Sequence, residues 1–146
     1  EGLCARWATE HITEMQLEEL EENVYLADFH ASKGHLDQMA DLDNRFHHIL
    51  YEACNSRQLE RLLVDFHEYV LRVRKKTLSN GGRGKRSNDE HRQIMEAIKA
   101  KDGRRAEELA HEHMINAYDN MVKNGLYHIY PAEGEENPGT EEKDKP

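Results

Sequence analysis

Apolar residues recur along most of this chain at every third or fourth position, the period of a helix that keeps one face against a core. Leu3, Cys4 and Trp7 mark a first helix running to about Glu10. A second begins at Thr13, where Thr13-Glu14-Met15-Gln16 has the form of a capping box, and Leu17, Leu20 and Val24 carry its stripe as far as Gly34. The third runs from about His35 to Ala53, with Leu36, Met39, Asp43, Phe46, His47, Leu50 and Cys54 on one face. Asn55-Ser56 breaks it, and a long fourth helix follows in which Leu59, Leu62, Leu63, Phe66, Val70 and Val73 face inward, ending near Leu78. Asn80 to Arg86, rich in Gly and basic residues, predicts a mobile loop carrying a local basic patch. Ser87 or Asn88 is then the expected cap of a fifth helix bearing His91, Ile94, Met95 and Ile98. Asp102-Gly103 separates this from a sixth helix with Ala106, Leu109, Ala110, His113 and Ala117, fading near Asn124-Gly125. From about residue 129 to Pro146 the chain is mostly Glu, Gly, Lys and Pro, too poor in apolar side chains to offset the entropy of ordering, and an acidic disordered tail is expected.

Four polar residues interrupt these apolar stripes. Asp43 and His47, four apart, stack on one helix face and can aim an oxygen and a nitrogen at one point. His91 shares its face with Ile94, Met95 and Ile98. On the sixth helix two histidines compete. The turn before His113 supplies Ala106, Leu109 and Ala110, whereas the turn before His111 supplies Arg104, Glu107 and Glu108, so His113 faces in and His111 faces water. His67, among Leu63, Val64, Val70 and Leu71, reads as core or pocket lining, while His30, His35, His48 and His128 read as solvated or boundary positions.

Composition narrows the fold class. At 146 residues, with 37% hydrophobic and 34% charged residues but only 9 Gly and 3 Pro, the chain suits one all-α domain. Its formal charge of -9 argues against the segment itself gripping a phosphate backbone, which requires clustered Lys and Arg. Cys4 and Cys54 are too few for a disulfide scaffold and lack metal-knuckle spacing, so both are expected as reduced helix residues of a cytoplasmic protein. No apolar run approaches a membrane span. The chain opens inside a helix-like stretch with no start signal, and a preceding segment is expected.

An Asp and three His converging inside a bundle suit a divalent cation, because imidazole nitrogen and carboxylate oxygen both satisfy zinc, nickel or manganese. A buried carboxylate left unpaired costs several kcal/mol, roughly, and coordination neutralises it at short range. Spacing alone leaves a buried Asp-His ion pair open as the alternative. It also leaves the geometry open, between a closed tetrahedral site and a partial octahedron with positions for water or a ligand carboxylate.

Leu42-Asp43-Asn44-Arg45-Phe46-His47 resembles the Asp-x-x-Phe-His signature of the FCD ligand-binding domain of GntR-type bacterial transcription regulators. Glu90-His91, Ile94, Ala97-Ile98, Asp102, Ala106 and His113 are similar to its second signature, and the likeness extends from Glu1-Gly2-Leu3-Cys4-Ala5-Arg6 to about Tyr118. The resemblance implies an antiparallel bundle of about six helices around a central metal and ligand cavity, spanning residues 1–128. It maps Asp43, His47, His91 and His113 onto the metal ligands of the metal-binding branch. It further implies a small organic acid effector, a homodimer, and control of a winged-helix DNA-binding domain placed before residue 1, so that DNA is a partner only through that domain. Basic residues would hold the rest of the effector. Arg74, flanked by Val70, Leu71, Thr77 and Leu78, is the candidate within the chain, with His67 as a second lining residue.

Other classes use the same residues. A di-iron bundle enzyme needs two Glu-x-x-His motifs, and the chain offers Glu108-x-x-His111 on a face read as exposed. A mononuclear hydrolase would need a separate general base, and none stands at helical register with the four residues. A metal-free interaction domain with paired buried polar groups is the third alternative. The expectation is a metal-dependent sensor rather than an enzyme.

Overall fold

The computed structural model describes residues 1–78 and 82–125, with side chains for 1–67 and 82–125. Six helices and no strand occur among the described residues: α1 (Gly2–His11), α2 (Glu14–Lys33), α3 (Leu36–Ala53), α4 (Arg57–Leu78), α5 (Arg83–Lys99) and α6 (Gly103–Lys123). The termini follow local chemistry. Thr13 accepts from the Gln16 amide while the Gln16 side chain accepts from the Thr13 amide, closing the expected box. Gly34 ends α2 at φ 70°, a left-handed conformation that glycine adopts without a Cβ penalty. Asp102 caps α6 by accepting from the Arg105 amide at 3.0 Å.

The bundle is an all-α packing in which α5 and α6 lie together, α1 covers α6, α2 bridges α3 and α5, and α4 leans on α3. Phe46, Leu20, Ile94, Ile98, Tyr51 and Val24 form its centre, all close to fully buried. Burying an aliphatic or aromatic side chain of this size contributes about 1.5–3 kcal/mol. Two glycines set the α1–α6 approach. A Cβ on Gly103 would lie 2.9 Å from Thr9 Oγ1, and one on Gly2 would lie 3.1 Å from the Glu107 carbonyl oxygen, so the two backbones meet at separations that larger residues would prevent.

Three expectations are corrected. Residues 83–86 are helical rather than loop, because α5 starts at Arg83 behind Gly82, which takes φ 79°. Ser87 and Asn88, the expected caps, sit within the helix and are buried; their side chains serve other helices instead, Ser87 donating to Asp43 and Asn88 donating to the Val24 carbonyl at 3.0 Å and to Asp28 at 2.7 Å. On α4, Leu59 and Leu63 pack on the core, but Leu62 and Phe66 point outward at 65% and 56% exposure. Leu36 is also largely exposed. For Leu62, Phe66 and Leu36 the helical period was right, and no neighbour among the described residues covers them. The side chains of Val70 and Val73, and residues 129–146, lie outside the described part.

Candidate functional site

The inward polar positions converge. α3 presents Asp43 and His47 one turn apart, α5 presents His91, and α6 presents His113; their exposures are 6%, 1%, 2% and 2%. The imidazoles of His47, His91 and His113 can each direct a ring nitrogen so that all three lie within 4.8 Å of one another. His91 Nε2 is 3.3 Å from His113 Nε2 and 3.7 Å from Asp43 Oδ1. His111 is exposed, as its neighbours imply.

Surrounding groups hold these rings in place. Phe46 stacks on His91 with centroids 4.0 Å apart and planes 8° from parallel. Ser87 Oγ donates to Asp43 Oδ1 at 3.2 Å. Glu90 Oε2 meets His113 Nδ1 at 2.6 Å, and Glu90 Oε1 accepts from Arg83 Nη1 at 2.9 Å and from Asn116 Nδ2 at 3.1 Å. Burial opposes ionisation of Glu90, but the hydrogen bonds with His113 and Arg83 and the Arg83 charge outweigh it and hold its carboxyl below the usual range. An ionised Glu90 only accepts, so His113 carries a proton on Nδ1 and presents Nε2 toward His91. Carboxylates in this position behind a histidine fix its tautomer and raise its basicity as a ligand.

A second polar group adjoins the first through His47. Glu1 Oε2 lies 2.9 Å from His47 Nδ1, and Glu1 Oε1 accepts from the Tyr51 hydroxyl at 2.5 Å. Tyr51 Oη is 3.3 Å from His67 Nδ1; because its single proton goes to Glu1, the hydroxyl oxygen is the acceptor toward His67. Glu1, His47 and His67 also offer donor atoms within 4.8 Å of one another. His67 is buried at 2%, in keeping with its reading as pocket lining. The Arg74 side chain lies outside the described residues.

Sequence reasoning passed over Glu1, Tyr51, Arg83, Ser87 and Glu90 as members of the site. Glu90 follows neither apolar stripe of α5, and its partner His113 is 23 residues away, so no local period marks the contact. Two signals were available: Glu90 stands beside His91 in the second signature, and its seven-residue spacing from Arg83 returns to the same helix face.

Beside its apolar core the bundle thus gathers buried titratable side chains that a polar ligand or a cation could engage. The chain belongs to the FCD domain family, whose model matches residues 1–116. FCD is the C-terminal domain of GntR-family regulators, and these transcription regulators are usually not enzymes. No curated protein matches the chain.

Proposed function

We propose that this domain is the metal-dependent sensor of a GntR-type transcription regulator, with Asp43, His47, His91 and His113 holding one divalent ion and a small organic acid completing its coordination. The observation that carries the reading is the Glu90–His113–His91–Asp43 arrangement, with a carboxylate behind one imidazole and a second carboxylate in front. Two nitrogens bound to one tetrahedral ion at about 2.0–2.1 Å stand roughly 3.3 Å apart, and His91 Nε2 and His113 Nε2 are separated by 3.3 Å. Imidazole-rich sites with one carboxylate favour zinc, with nickel or manganese as alternatives.

The Tyr51, His67 and Glu1 group, open to the same His47, is the proposed seat for the organic part of the effector, with Arg74 of α4 as a further candidate. Residues 1–128 would form the sensing unit and 129–146 an acidic tail. In the complete regulator, two copies would pair and the effector would bias the arrangement of winged-helix domains preceding this one, a shift between existing states. No described helix is long and apolar enough to cross a membrane, and a cytoplasmic setting fits a regulator that acts on DNA.

A thermal-shift screen of small organic acids, with and without chelator, tests the reading, since a ligand selective for the folded state raises apparent stability. The expected hit is abolished by chelator. Hits that ignore chelator would remove the metal from the mechanism.

A further inference from the structure

Beside Glu90, side chains of α5 and α6 border an open cleft of about 360 Å³. Arg83, Arg86, Asn116, Asn120 and Lys123 line it, together with the acids Glu90 and Asp119. That volume lies in the range of small-molecule sites, about 300–1,000 Å³.

Its charge distribution is unusual for a helix start. The positive end of a helix dipole favours acids, yet the first turn of α5 contains no acidic residue and places Arg83, Lys85 and Arg86 together. Its N-cap, Gly82, supplies no side-chain bond to the first amides. Lys85 is engaged by Asp89 and Arg83 by Glu90, but Arg86 and Lys123 make no ion pair among the described residues. Arg83 is buried to 4% exposure, so a guanidinium forms part of the wall rather than a loose surface charge. Asn120 Nδ2 is shielded from solvent and has no acceptor among the described residues. Basic side chains, a buried guanidinium and an amide donor therefore line one concave space in a chain whose net charge is -9.

We infer that this cleft is a second ligand site, separate from the imidazole cluster, and that it takes a small oxyanion: a phosphate or a carboxylate group held by Arg86, Lys123 and the Asn120 side-chain amide against Arg83. Forked guanidinium and amide donors match the paired oxygens of such groups. Arg83 joins the cleft to His113 through Glu90, so the two sites share a wall without sharing a ligand.

The test uses the full chain, with inorganic phosphate and succinate as probes at constant ionic strength, followed by isothermal titration and by amide shifts of the Asn116 and Asn120 side chains. Because removing buried Arg83 risks unfolding, the test variants are Arg86→Ala and Lys123→Ala, both on exposed side chains. The expected result is saturable binding of at least one probe, weakened about tenfold or more by the double variant and retained in Asp43→Ala. A response to phosphate alone identifies a phosphate site, and a response to succinate alone a carboxylate site. The inference is overturned if neither probe binds, if the double variant binds unchanged, or if binding disappears with Asp43→Ala while that variant stays folded by circular dichroism. If chelation and Asp43→Ala leave metal content untouched, the metal reading falls while the anion site stands or falls on Arg86 and Lys123.

Discussion

His47 belongs to two groups of side chains that are built differently. Toward α5 and α6 it meets His91 and His113, whose orientations are fixed from behind by Phe46, Glu90 and, through Glu90, Arg83. Toward α1 and α4 it meets Glu1 and His67, joined by a chain of hydrogen bonds through Tyr51. The first group has its supporting contacts in place without a ligand, which is what the proposed cation site would require, because misplacing one donor weakens every bond to the ion. The second is tied together by hydrogen bonds that run among its own members, from Tyr51 to Glu1 and between Tyr51 and His67, the kind of contact a polar molecule can replace. Burial is similar on both sides; what differs is whether the polar contacts lie behind the donor atoms or between them.

The largest effects should come from removing members of the first group. Asp43→Ala or His91→Ala is expected to lower metal affinity by more than about a hundredfold, measured as metal content of the purified domain against a graded chelator; unchanged content in both would dissolve the distinction. Glu90→Gln keeps the shape and loses the charge behind His113, so affinity should fall by about 10–100-fold while the helical circular dichroism spectrum is kept. A variant that holds metal as well as the parent would show that Glu90 only packs.

The second group should respond in the opposite sense. Tyr51→Phe is expected to leave metal content unchanged and to weaken organic-acid binding about tenfold, the worth of one hydrogen bond to a charged group. Equal losses of metal and acid would merge the two groups into one.

The smallest effect concerns the thiol between α1 and α3. Cys4 donates to the Leu50 carbonyl at 3.3 Å, and burial, with the neighbouring Cys54, pushes it well above its ordinary value of 9.0. An unfolded chain can ionise this thiol above that pH and the folded chain cannot, so the unfolded state holds fewer protons and stability declines as pH rises past 9.0. The unfolding free energy from denaturant titration should fall in the parent by up to about 1.4 kcal/mol per pH unit above 9, and Cys4→Ala, whatever its effect on stability at neutral pH, should remove that decline. A flat parent profile to pH 10 would show Cys4 reachable by solvent.

Much of this arrangement was legible in the chain. The apolar period located all six helices, and the neighbours of His111 and His113 separated an exposed histidine from a buried one. The errors have one cause. Leu62, Phe66 and Leu36 obey the period yet are not covered, because periodicity states which residues share a face and not whether another helix lies over it. Ser87 and Asn88 carry cap chemistry but use it on Asp43 and Val24, residues 44 and 64 positions away. Glu90 was hidden for the same reason: its partner is distant in sequence, and a charged residue beside an apolar stripe reads as solvated until the fold brings α6 alongside.

The glycine contacts between α1 and α6 have a mechanical consequence. Gly2 sits against the Glu107 carbonyl and Gly103 against Thr9 and Arg6, so the helices touch near both ends of α1, with the glycine backbones as the closest part of the contact. A joint of that kind is stiff, because close-packed backbones have no rotamers to absorb a displacement. α6 carries His113 and α1 begins beside Glu1, which bonds Tyr51. A displacement of α6 at His113 by a fraction of an ångström would therefore reach α1 as through a strut, not a spring.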